Sequence, residues 1–66
     1  MSDRLTVRER EVVAALVQGH SNKMIARTLR ITEGTVKVHM HHIFEKLGVE
    51  NRVKLAAVAL TAMVLS

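Results

Sequence analysis

Apolar positions along the chain recur at three- and four-residue spacings, and no stretch alternates in the way a half-buried strand requires. Four helical segments follow. In the first, residues 7–18, Val12, Val13, Leu16 and Val17 form an apolar stripe. Thr6 stands as its N-cap, Glu9 completes a capping box, Leu5 is placed to act as a hydrophobic staple, and Gly19 stops it. The second, residues 22–29, starts behind Ser21 and turns Ile25, Ala26 and Leu29 inward, leaving Lys23, Arg27 and Arg30 outward or at the turn. Eight residues do not hold a helix alone, so this one depends on packing. The third, residues 33–47, is capped by Thr32, and Glu33 suits the positive end of its dipole. Wound at about 100° per residue, Val36, Met40, Ile43, Phe44 and Leu47 fall in one core-facing sector. Gly48 ends it in a left-handed cap, with Val49 able to fold back on Phe44. The fourth, residues 52–65, is capped by Asn51. The expected fold is all-α, a compact four-helix domain.

The middle of the pattern has the spacing of a helix-turn-helix. With Asn22 as the first position, Ala26 is fifth, where a small residue lets two helices cross, and Val36 is fifteenth, where it locks the longer helix to the shorter. Arg30 is ninth and is strained if its φ must be positive. The outer side of residues 33–47 carries Gly34, Val38, His41 and Glu45, with Lys37 on one edge and Thr35, His39, His42 and Lys46 on the other. Val38 is an apolar, β-branched residue at the centre of a polar face. In a major groove it can contact a thymine methyl, and Lys37 can donate to guanine O6 or N7. Gly34 in the first turn holds no side chain between the helix end and a ligand.

Sixty-six residues make one domain with one small core. The absence of cysteine removes disulfides and thiolate zinc sites, and the expected compartment is the cytoplasm. No apolar run reaches the roughly 18 residues that span a bilayer, so no membrane partner is expected. The net charge of +4 is modest. Its placement says more: Lys23, Arg27, Arg30 and Lys37 face only Glu33 between His20 and His42, and all four histidines fall in that stretch. A basic surface concentrated on one element points to a polyanion. His39 and His42 share a helix edge while His41 points elsewhere, so no metal site is expected. No Ser-His-Asp order, phosphate loop or inward carboxylate pair is present, so neither catalysis nor a cofactor is expected.

Four stretches carry a family likeness: Leu5-Thr6-Val7-Arg8-Glu9-Arg10-Glu11-Val12, Gly19-His20-Ser21-Asn22-Lys23-Met24-Ile25-Ala26, Ile31-Thr32-Glu33-Gly34-Thr35-Val36-Lys37-Val38-His39, and Lys46-Leu47-Gly48-Val49 with Arg52. The chain resembles the C-terminal DNA-binding domain of the LuxR/FixJ (NarL-type) family, found in many bacterial two-component response regulators. The resemblance implies sequence-specific binding of double-stranded DNA with the third helix in the major groove. It also implies base-facing roles for Gly34, Lys37, Val38 and His41, and phosphate-facing roles for Asn22, Lys23, Thr35 and His39. Two residues depart from the pattern. His41 takes a position often held by longer basic or polar residues, and Met24 replaces the acidic residue usual after Asn-Lys. Because the chain begins almost at a helix cap, residues 1–66 read as a single domain taken from a longer regulator, with an N-terminal regulatory domain and a contact with RNA polymerase both left open.

The fourth helix carries two apolar stripes, Leu55, Ala59 and Ala62 on one side and Val53, Ala57, Leu60 and Val64 on the other. One can face the core; the other is left over and implies a partner surface. In similar proteins this helix pairs two protomers, which places Val53, Ala57, Leu60 and Val64 at a homodimer interface on DNA. Two other readings stand beside this one: a sigma-factor-like domain that reads promoter DNA, and a helical protein-interaction module with no DNA ligand.

Overall fold

The computed structural model describes residues 5–65, and side chains through residue 62. Four helices follow one another, α1 (Val7–Val17), α2 (Asn22–Leu29), α3 (Glu33–Leu47) and α4 (Arg52–Leu65), with no strand among the described residues. The first helix ends one residue earlier than the pattern predicts, because Gln18 is its C-cap.

Each helix starts where the side-chain chemistry says it should. Thr6 Oγ1 accepts from the Glu9 amide at 3.1 Å while the Glu9 carboxylate accepts from the Thr6 amide at 2.8 Å. Ser21, Thr32 and Asn51 accept from Met24, Thr35 and Lys54 in the same way. The first three helices all close through the same pair of backbone bonds. His20 and Gly19 donate back to Ala15 and Leu16, Ile31 and Arg30 to Ala26 and Arg27, and Val49 and Gly48 to Phe44 and Glu45. This double closure requires a left-handed residue between the bonds. Gly19 and Gly48 supply it with φ of 89° and 66°, and at the turn between α2 and α3 Arg30 takes φ 59°. A side chain in that region is strained by roughly 1 to 2 kcal/mol.

The core is built from all four helices. Val12 and Leu16, Ile25 and Ala26, Val36, Met40 and Ile43, and Leu55 are buried in one cluster, with Ala59 also buried on α4. Val13, Val17, Leu29, Phe44 and Leu47, all assigned to apolar stripes by the pattern, form a half-buried rim around it. The fifteen residues of α3 span about 22 Å at 1.5 Å each, and the molecule measures 29 × 23 × 21 Å. The helix therefore crosses the whole domain, one side in the core and the other in solvent.

One buried residue was not expected. Glu9 is only 3% exposed, and Lys46 Nζ donates to its Oε1 at 2.7 Å across 37 residues. Lys46, placed by the pattern on the solvent edge of the third helix, instead reaches back to the start of α1. The hydrogen bond from Lys46 first, then those from Thr6 and the Lys46 charge, hold the Glu9 carboxyl below its ordinary pKa, against the upward push of burial.

Candidate nucleic-acid interface

The exposed side of α3 exists because its apolar residues are spent on the other side. Gly34, Lys37, Val38 and His41 all lie in solvent on one continuous face. Val38 is 52% exposed at the centre of this face. One turn beyond, His41 Nε2 lies 3.5 Å from Glu45 Oε2, an exposed i,i+4 pair. Its ring centroid is 6.2 Å from that of His42.

Groups suited to phosphate flank this face on both edges. On the Lys37 edge, Asn22 and Arg52 share a surface hollow with Lys37, Met40, His41 and Phe44, so the start of α2 stands beside the exposed face of α3. Ser21 caps only the Met24 and Ile25 amides. The amides of Asn22 and Lys23 have no partner among the described residues, as the first amides of a helix do not, and the exposed Lys23 lines a hollow with Ser21, Asn22, Glu33 and Arg52. On the opposite edge lie Thr35 and His39, both half-buried. Thr35 donates its amide to Thr32 Oγ1, and the two hydroxyls are 2.9 Å apart.

The eight residues thus form one surface, with the four expected base readers between two pairs of expected phosphate contacts. The helix pattern places α3; what it did not reveal is how α2 is held against it. Arg52, the first residue of α4, donates to Asn22 Oδ1 at 2.6 Å and to the His20 carbonyl at 2.5 Å. A cation in the first turn of a helix opposes the dipole, and that mismatch is the signal in the sequence that Arg52 has a partner elsewhere. The His20 backbone is held at both its amide, which donates to Ala15, and this carbonyl, whereas its buried Nδ1 has no hydrogen-bond partner among the described residues.

Away from this surface, α4 divides as its two stripes predict. Leu55 and Ala59 are buried, whereas Val53 is 78% and Leu60 47% exposed, with Ala57 in solvent beside them. Ala62, expected on the inner stripe, is exposed and lines an apolar hollow with Val13, Ala14, Val58 and Ala59 between α1 and α4. The Val64 side chain lies outside the described residues. Among the described residues no three of the His, Cys, Asp and Glu side chains gather closely enough to hold a metal ion. No helix among them is long and apolar enough to cross a membrane.

A short helix, a tight turn and a long helix with one open basic side define a helix-turn-helix domain. The chain matches the bacterial regulatory proteins of the luxR family over residues 3–59 and belongs to that family of DNA-binding transcription regulators. It is 50% identical to the nitrate/nitrite response regulator protein NarL of Escherichia coli (strain K12) over 54 residues, which cover 82% of this chain and 25% of that protein. It is 53% identical to the nitrate/nitrite response regulator protein NarP of the same organism over 49 residues, 74% of this chain and 23% of that protein. With the monoamine regulon transcriptional regulator of Klebsiella aerogenes it shares 49% over 53 residues, 80% of this chain and 23% of that protein. The chain spans about a quarter of the length of these curated relatives.

Proposed function

We propose that this domain binds duplex DNA sequence-specifically as the output module of a bacterial response regulator acting in the cytoplasm, where a regulatory domain elsewhere in the full-length protein controls it. Helix α3 enters the major groove. Lys37, Val38 and His41 meet base edges, and Gly34 lets the helix end approach closely. Asn22 and Lys23 meet the phosphates of one strand and Thr35 and His39 those of the other. The observation that carries this reading is the order of groups around α3. An inserted helix has bases ahead of it and a backbone on either side, and the exposed face offers readers in the centre with donors on both edges.

Two copies bind adjacent half-sites, paired through Val53, Ala57, Leu60 and Val64 of α4. Affinity falls steeply with salt because the cations at the interface displace counterions. Selecting bound duplexes from a random pool, then measuring Lys37→Ala on the selected site, tests the reading. The variant loses about 1 to 3 kcal/mol of binding and tolerates any base at one position. An equal loss on every sequence would make Lys37 a phosphate contact instead.

A further inference from the structure

The guanidinium of Arg52 has five N–H donors and no acceptor. The Asn22 atom that faces it at 2.6 Å is therefore the carbonyl oxygen, which leaves the NH2 of the same planar amide turned away. The first two amides of α2 have no partner among the described residues, and the exposed Lys23 lines one hollow with Asn22, Arg52 and Glu33. A freely rotating asparagine presents oxygen or nitrogen to its surroundings with little preference, and the oxygen would repel a phosphate. Arg52 removes that choice. It is itself fixed by a second bond, to the His20 carbonyl, so it is anchored to the backbone just before α2 as well as to the Asn22 side chain.

We propose that Arg52 is a positioning residue for DNA binding: by holding Asn22 Oδ1 it aims Asn22 Nδ2 at a backbone phosphate. It also ties that contact to α4, whose first residue it is. This rests on the reading that Asn22 meets phosphate, and it assigns no DNA contact to Arg52. A movement of α4 that draws Arg52 away frees the amide to turn over and weakens the phosphate contact without touching the reading face.

The test measures binding of a mixed-sequence duplex by fluorescence anisotropy, with thermal melts for each variant. Asn22→Ala removes the donor and Arg52→Lys keeps the charge but not the two-pronged geometry; each is expected to weaken binding about three- to tenfold, the worth of one hydrogen bond. Combined, they are expected to weaken it no more than Asn22→Ala alone. A full additional loss from Arg52→Lys in the Asn22→Ala background would overturn the proposal while leaving the Asn22 contact standing. So would wild-type binding by Arg52→Lys. Unchanged binding by Asn22→Ala would remove the phosphate reading of Asn22, and the proposal with it. Asn22→Asp is the independent check, since it keeps the acceptor and gives Arg52 a charged partner. It is expected to melt no lower than the wild type yet bind more weakly than Asn22→Ala, and wild-type affinity for it would refute the need for the Nδ2 donor.

Discussion

Gly34 has a helical backbone, and a Cβ added there would meet nothing nearer than Thr32 Oγ1 at 3.8 Å. Nothing in the fold requires glycine at this position, while glycine in a helix is less favourable than alanine by up to about 1 kcal/mol. Gly34→Ala is therefore expected to raise the unfolding free energy by a fraction of that amount and, on the proposed docking, to weaken DNA binding by standing between the helix end and the groove. Chemical denaturation beside a binding titration checks both halves; a stabilised variant with undiminished affinity would return Gly34 to the status of a simple surface residue. Arg30 presents the reverse case. Its left-handed backbone is required by the closure of α2, glycine would satisfy that closure without strain, and the chain instead keeps a cation at the turn beside α3. Glu45 sets the reading face a further condition, since it offers His41 an anionic partner on a surface otherwise suited to phosphate.

At the scale of elements, the Glu9–Lys46 pair fastens the end of α3 to the beginning of α1. A glutamate whose pKa is lowered by folding stabilises the native state fully above its unfolded value, and the contribution is lost as the pH falls through the lowered folded value. Melting temperature is thus expected to hold near neutrality and to drop below the ordinary glutamate range. Glu9→Gln preserves the capping box but not the charge; it should cost about 1 to 3 kcal/mol at neutral pH and flatten the acid limb of the profile. A parallel acid limb in wild type and variant would show that other carboxylates govern it. The four helices could be read from the sequence because their signals are local: Thr6 with Glu9, Ser21, Thr32, Asn51 and the two glycines each act within a few residues. The exposure of Gly34, Lys37, Val38 and His41 on one side of α3 is legible for the same reason, as a matter of winding one helix. The Glu9–Lys46 and Arg52–Asn22 contacts join residues 37 and 30 positions apart. Nothing in a helical period says which charged side chain will fold back on which helix end. The helical period accordingly puts Lys46 on a solvent edge and gives Arg52 no role.

At the scale of the molecule, four helices share one core, and the largest fully buried side chains among the described residues are aliphatic: Ile25, Ile43, Leu55, Val12 and Val36. What the core does not absorb is the outer side of α4. Leu60→Glu is expected to change unfolding by less than about 1 kcal/mol, as a substitution at a half-exposed position does. On a duplex with two half-sites it should abolish the preference for double occupancy. A gel-shift comparison of one-site and two-site duplexes reads this directly, and cooperative binding by the variant would move the pairing surface off this face. The proposed face is small: two valines, one leucine and an alanine are few beside the roughly 20 to 30 residues a side of a stable interface, too few to hold two copies together in dilute solution. Placed side by side on one duplex, however, two copies meet at an effective concentration in the millimolar range, where even a weak contact is occupied. On the proposed pairing, the contact would be supplied by the spacing of the sites rather than by the protein's abundance. An isolated half-site in a chromosome then captures single copies only briefly, whereas a correctly spaced pair fills over a narrow range of protein concentration. The modest apolar surface left on α4 would in this way convert a graded supply of regulator into a near-threshold response.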